Sequence, residues 1–205
     1  MKGLTLIETV IAIGILVIGM IGFSLLFLNV WKSNAYTYET GQASIAASQG
    51  ASKAVGFIRK ARQGDDGAYP IKSATNDDLV IFSDYDKDGI TERLHFYKDN
   101  EQLIMGYRRP SGGLPKTYAA GDEDSIVLAK NVVNQSTEPL FYYFNKNYPG
   151  DMVNNPVATP AYVWDIRLVE INLKVNITKG RGPENIEIRS FVEMRNLNDY
   201  DLIRS

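Results

Sequence analysis

The 205-residue sequence contains no cysteine and a single histidine, His95. Without cysteine there is no disulfide framework, no thiolate metal site and no cysteine nucleophile, and an extracytoplasmic domain of this length does not require disulfides. One histidine excludes any site that needs two. A charge excess is missing too: 22 Lys and Arg stand against 24 Asp and Glu, a net charge of -2. Neither a nucleic-acid footprint nor a polybasic membrane patch is implied by that balance. No G-x-S-x-G elbow, phosphate loop or histidine cluster occurs in the chain. His95 falls in phase with Arg93 and Tyr97 on a predicted strand, the setting of a surface or hairpin-packing side chain. The expectation is a protein that is not an enzyme.

Charge is also lacking where its absence says most. From Leu4 to Val30 the only formal charge is Glu8. A helix over that stretch, at about 1.5 Å per residue, is roughly 40 Å long and can cross a hydrocarbon core of about 30 Å. A carboxylate in such a segment costs on the order of 2.5–3.5 kcal/mol near the bilayer centre and less near its face. A cleaved secretory signal fits poorly. Its apolar core is about 7–15 residues with a small-x-small site behind it, whereas Asn29-Val30-Trp31-Lys32-Ser33-Asn34 offers none. A plain membrane anchor fits the length, with Lys2, Trp31 and Lys32 at the interfaces. It leaves Glu8 and the Gly3-Leu4 step without a reason.

Lys2-Gly3, followed by Leu4-Thr5-Leu6-Ile7-Glu8-Thr9-Val10-Ile11-Ala12, resembles the class III signal of type IV pilins and type II secretion pseudopilins. The resemblance implies that a prepilin peptidase cuts between Gly3 and Leu4 and methylates the new N-terminus. It also implies that Glu8 holds the family's acidic position, the fifth of the mature chain. Leu4 departs from the family's preferred Phe, and the leader is short for the family. The amine freed at Leu4 lies four residues from Glu8, on the same helical face. A cation there offsets the desolvation of the carboxylate, within the chain or from a neighbouring subunit, and so sets the axial register of assembly.

The partners implied are other pilins or pseudopilins, the peptidase, an inner-membrane assembly platform and membrane lipid. The implied location is a single pass of the inner membrane with a cytoplasmic N-terminus, followed by a filament or pseudopilus. Shorter matches point to minor pilins of the PilW type and J-type minor pseudopilins. These are Glu92 to Tyr97, Ile126 to Val132, Phe141-Tyr142-Tyr143 and Phe191 to Leu197. The alternative is a monomeric single-pass anchor carrying a Ca²⁺-dependent binding domain.

Beyond the membrane the pattern stays helical. Residues 32–62 contain no proline, and Ala47, Ala51, Ala54, Val55, Ile58 and Ala61 recur at helical spacing. Gly64, after Arg59, Lys60 and Arg62, reads as the stop. Gly41, Gly50 and Gly56 lower the helix propensity. Gly14, Gly19 and Gly22 permit close helix approach, or are ordinary membrane-segment glycines. After Asp65-Asp66-Gly67 the period becomes two. Strands are predicted at Leu79–Phe82, Glu92–Tyr97, Gln102–Tyr107 and Leu140–Phe144. A final hairpin joins Val169–Ile177 to Ile186–Met194 through a turn at Lys179–Pro183, with a bulge near Leu168-Val169. The alternation of Val169, Ile171, Leu173, Val175 and Ile177 predicts one buried face. Tyr142, Tyr143, Tyr148 and Tyr162 are either a contact surface or sheet packing. The expected fold is α+β and pilin-like, with an antiparallel sheet on the helix's outer half. Its boundaries are 1–3 leader remnant, 4–31 membrane or filament-core helix, 32–64 helix extension and 65–205 sheet domain.

One further motif carries chemistry, Asp84-Tyr85-Asp86-Lys87-Asp88-Gly89-Ile90-Thr91-Glu92. Carboxylates at positions one, three and five with Gly at six match the first half of a Ca²⁺ loop, and the Ile90 carbonyl supplies a fourth oxygen. Position twelve is His95 instead of a bidentate Glu, and Glu92 falls at nine. The loop also joins strands, so the expectation is a hairpin-borne structural Ca²⁺ site with ligands Asp84, Asp86, Asp88, Ile90 and Glu92, not an EF-hand. A solvated acidic turn is the plainer reading.

Overall fold

A computed structural model describes residues 5–176, 185–194 and 196–197. Helix α1 is unbroken from Leu6 to Arg59. Two compact units divide it, Met1–Gln42 and Ala43–Ser205. In the first unit the helix stands alone, and every residue from 5 to 35 is exposed. This part is long and apolar enough to cross a membrane.

In the second unit one stripe of α1 is buried: Ala47, Gly50, Ala51, Ala54 and Ile58. The stripe is made of small residues because strands press directly on it. An ideal Cβ on Gly50 would lie 2.0 Å from the carbonyl oxygen of Leu128. Gly50 is therefore a point of close approach between helix and strand. By contrast, a Cβ on Gly41 or Gly56 would meet nothing within 4 Å.

The helix ends at Arg59, short of Gly64. Lys60 and Ala61 donate their N–H groups to the Phe57 and Ile58 carbonyls, both at 3.1 Å, the i→i−3 tightening of a last turn. The Arg62 N–H then goes to the Phe82 carbonyl at 2.9 Å, so a strand takes over the donor that a longer helix would use.

Five strands follow in a simple antiparallel meander: β1 Ile71–Ala74, β2 Asp78–Ser83, β3 Glu92–Asp99, β4 Gln102–Arg108 and β5 Asp124–Lys130. A second antiparallel sheet holds β6 Phe141–Phe144, β7 Leu168–Val175 and β8 Ile186–Glu193 in that order. The fold is thus α+β, a long helix packed on antiparallel sheet, but with two sheets where the sequence implied one. The two sheets are tied together: Val132 bridges to Val175, and Phe141 N–H donates to Asn76 O at 2.9 Å.

The predicted bulge at Leu168-Val169 is not there. Strand β7 pairs without a slip from Leu168↔Glu193 to Val175↔Ile186. The phase change comes from a 3₁₀ turn at Val163–Asp165, which re-aims the chain before β7 begins. Bulges occur elsewhere. Between β4 and β5 the register passes from Leu103↔Ala129 to Ile104↔Val127, leaving Leu128 as the extra residue. Strand β7 is also buried on both faces, since Glu170 and Asn172 are buried along with Val169, Ile171, Leu173 and Val175. It is the central strand of its sheet. The turn predicted at Lys179–Pro183 lies outside the described residues.

One apolar core joins the helix stripe to both sheets through Ile58, Leu79, Ile81, Leu94, Phe96, Leu103, Val169 and Ile171. Tyr143 is fully buried and donates its hydroxyl to Thr75 O at 2.7 Å, so it packs the sheet. Tyr148 lies against Phe144 with ring centroids 4.4 Å apart, whereas Tyr162 is exposed.

Candidate functional site

Two places gather chemistry. At the start of α1, Gly3 and Leu4 lie outside the described residues, but Glu8 does not. Its Oε2 accepts the Thr5 backbone N–H at 2.8 Å and the Thr5 hydroxyl at 2.9 Å, and the Glu8 N–H approaches Thr5 Oγ1 at 3.4 Å. This reciprocal pair is a capping box: Thr5 is the cap and Glu8 is three residues on. The Thr5-x-x-Glu8 spacing carries that signal, a second role for the same carboxylate. Thr5 supplies neutral donors, which satisfy hydrogen bonds without cancelling the charge.

The second place is the β2–β3 hairpin. Ser83 pairs with Glu92 at its base, and Asp84, Asp86 and Asp88 lie in the loop between. Their carboxylate oxygens come within 4.8 Å of one another. The loop holds that shape with its own backbone. Asp86 Oδ1 accepts Asp88 N–H at 3.3 Å, Asp88 Oδ1 accepts Ile90 N–H at 2.7 Å, and Asp84 Oδ2 accepts Gly89 N–H at 3.2 Å. Gly89 takes φ +89, the left-handed region that its missing Cβ allows. The Ile90 N–H is thus taken up within the loop.

Glu92 is fully buried beneath the loop. Its Oε2 accepts Tyr85 N–H at 2.8 Å, while Oε1 has no hydrogen-bond partner. Burial pushes the Glu92 carboxyl up from its ordinary value, and the charges of Asp86 and Asp88 push it further. Asp84 Oδ1 is likewise buried without a hydrogen-bond partner. The oxygens of Asp84, Asp86 and Asp88 lie close enough together to suit a divalent cation of the Ca²⁺ kind, which seeks several oxygens at once, whereas Glu92 is not among the carboxylates brought together there.

Two arginines already address this charge, and neither was visible as a site residue in the sequence. Arg62 donates to Thr91 Oγ1 at 2.8 Å and Gly89 O at 2.9 Å, and its Nη2 lies 3.6 Å from Asp84 Oδ2. Arg109 donates to Asp86 Oδ2 at 2.9 Å. Sequence spacing read Arg62 only as a basic residue at the helix end.

His95 sits in a separate ion cluster on the five-stranded sheet. Nε2 is 2.7 Å from Asp78 Oδ2 on β2, and Nδ1 is 2.9 Å from Asp122 Oδ2 in the β4–β5 connection. Arg93 Nη2 donates to Asp122 Oδ1 at 3.3 Å, and the Tyr97 and imidazole ring centroids lie 4.5 Å apart. Gly106, the β4 residue opposite His95, makes the room: a Cβ there would stand 2.1 Å from Asp122 Oδ2. The predicted hairpin-packing histidine is therefore a clamp between two carboxylates.

Those carboxylates raise the His95 pKa, Asp78 most, against an opposing contribution from burial. A base whose folded pKa exceeds its unfolded value stabilises the fold fully below the unfolded pKa, and the contribution fades as pH rises through the folded value. Thermal stability should therefore fall as pH climbs above 6.5, the ordinary value, and His95→Gln should flatten that dependence. A pH series of melting curves on both chains checks this. An equally steep decline in the variant would contradict it.

Comparison with known proteins finds no family model that matches the chain and no curated protein that matches it.

Proposed function

We propose that the chain is a structural assembly subunit, a minor pilin or pseudopilin of a type IV pilus-like or type II secretion filament. In this reading a prepilin peptidase cuts after Gly3 and methylates Leu4. The subunit waits in the inner membrane with its domain outside the cytoplasm, and an assembly platform moves it among other pilins.

One observation carries the proposal. The apolar stretch of α1 bears a single charge, Glu8, four positions after Leu4 in the sequence, and α1 runs unbroken to Arg59. A plain anchor needs that side chain only to cap its first turn, as an uncharged Gln would, and has no use for the charge. A filament does, because the amine of a neighbouring subunit neutralises it where lipid is absent. Gly14, Gly19 and Gly22 then let apolar helices approach closely, since nothing lies within 4 Å of a Cβ at any of them.

The acidic hairpin has a structural part in this scheme. Asp84, Asp86, Asp88 and Glu92, with the Ile90 carbonyl as a further oxygen, hold Ca²⁺ and pin β2 to β3. Removing repulsion among the clustered loop carboxylates is what the ion contributes.

Processing tests the proposal. Intact-mass measurement of the protein from its native membrane should give a chain beginning at Leu4 and carrying a methyl group. An intact Met1 would favour a monomeric anchored domain instead.

A further inference from the structure

The carboxylates of the hairpin, the clustered Asp84, Asp86 and Asp88 and the buried Glu92 below them, are not equally ready for a cation. Glu92 Oε1 and Asp84 Oδ1 are buried with no hydrogen-bond partner. Asp88 spends Oδ1 on the Ile90 N–H. Asp86 has both oxygens engaged: Oδ1 takes the Asp88 N–H, and Oδ2 takes the guanidinium of Arg109 at 2.9 Å. A cation on Asp86 would therefore share that carboxylate with the Arg109 guanidinium, and the two positive charges compete for it.

The two arginines differ in how easily they leave. Arg62 is anchored to the loop by Thr91 Oγ1 and Gly89 O, and its contact with Asp84 is the long one at 3.6 Å. The Arg109 side chain is 54% exposed, and its guanidinium hydrogen bond is to Asp86. The segment it opens is held independently, by Lys116 to Asp65 at 2.8 Å and by the Tyr118 hydroxyl to Thr91 O at 2.5 Å. Arg109 can swing away without loosening the β4–β5 connection.

We propose that Arg109 is a built-in competitor of the cation, an exchangeable counter-charge on Asp86 that sets the Ca²⁺ concentration at which the hairpin fills. This rests on the reading of the hairpin as a cation site. Below the threshold Arg109 restrains the repulsion of the loop carboxylates, and above it the ion takes over and the guanidinium turns to solvent.

Calorimetric titration of Ca²⁺ into the full chain in detergent micelles tests this, with Arg109→Gln and Arg109→Ala as neutral variants and Arg109→Lys as the charge-keeping one. Losing an exposed ion pair and a like charge beside the ion should tighten binding about three- to tenfold in both neutral variants, with Arg109→Lys near the wild type. Equal or weaker Ca²⁺ binding by the neutral variants would overturn the role of Arg109 and leave the cation site standing. Absence of Ca²⁺ uptake by every chain would overturn the cation site and the competitor together.

Discussion

Gly50→Ala should destabilise the folded domain by about 2 kcal/mol or more, against the usual sign for such a change. Alanine is worth about 1 kcal/mol over glycine in an open helix interior. Here its Cβ would fall 2.0 Å from Leu128 O and 2.6 Å from Leu128 C, backbone atoms that cannot rotate away. Strand β5 would have to lift off the helix, and overpacking of a closed core costs about 1–3 kcal/mol or more. The bulge that leaves Leu128 as the extra residue beside Gly50 is already the local adjustment, so little slack remains. Gly56→Ala is the matched control. Nothing lies within 4 Å of its Cβ, so it should gain up to about 1 kcal/mol. At about 2–4 °C per kcal/mol for a domain of this size, melting curves should move the two variants in opposite directions. Similar shifts for both would mean that β5 does not press on Gly50.

Glu8→Ala should leave the protein in the membrane and out of the filament. Insertion becomes easier, because the change removes a charge from an apolar segment. In the proposed filament, assembly loses a carboxylate whose pairing with an amine in a water-poor core is worth about 3–5 kcal/mol when one side is deleted, about two to four orders of magnitude in the equilibrium. The capping box offers a competing cause, since Thr5 also loses its partner. Lost caps cost about 0.5–2 kcal/mol and fray one turn. Glu8→Gln separates the two: its amide oxygen still accepts from Thr5, yet it carries no charge. If charge drives assembly, Gln fails nearly as badly as Ala.

Much of the fold was legible because its signals are local. The apolar residues of β2, β3, β4, β7 and β8 mark faces turned to the core, and the Ala47, Ala51, Ala54, Ile58 stripe follows from helical periodicity. Strand β1 was not legible, since Ile71-Lys72-Ser73-Ala74 is too short and too polar to stand out. The division into two sheets was hidden because alternation does not say which strands pair. Gly50 reads as a propensity cost in one dimension and as a contact in three.

The acidic loop was legible from the spacing of its aspartates. Its counter-charges were not: Arg109 lies 23 positions from Asp86. The carboxylates flanking His95 lie 17 and 27 positions away, and no short motif links them. Glu8 was legible as an anomaly, and Thr5 is the part of its surroundings that the charge argument passed over.

The most direct measurement is the fraction of the chain that sediments with sheared filaments, compared among wild type, Glu8→Ala and Glu8→Gln at matched membrane levels. Assembly through the N-terminal helix predicts that the wild type is found in the filament fraction and that both variants stay in the membrane. Variants that sediment like the wild type, or a wild type that never leaves the membrane, would contradict it.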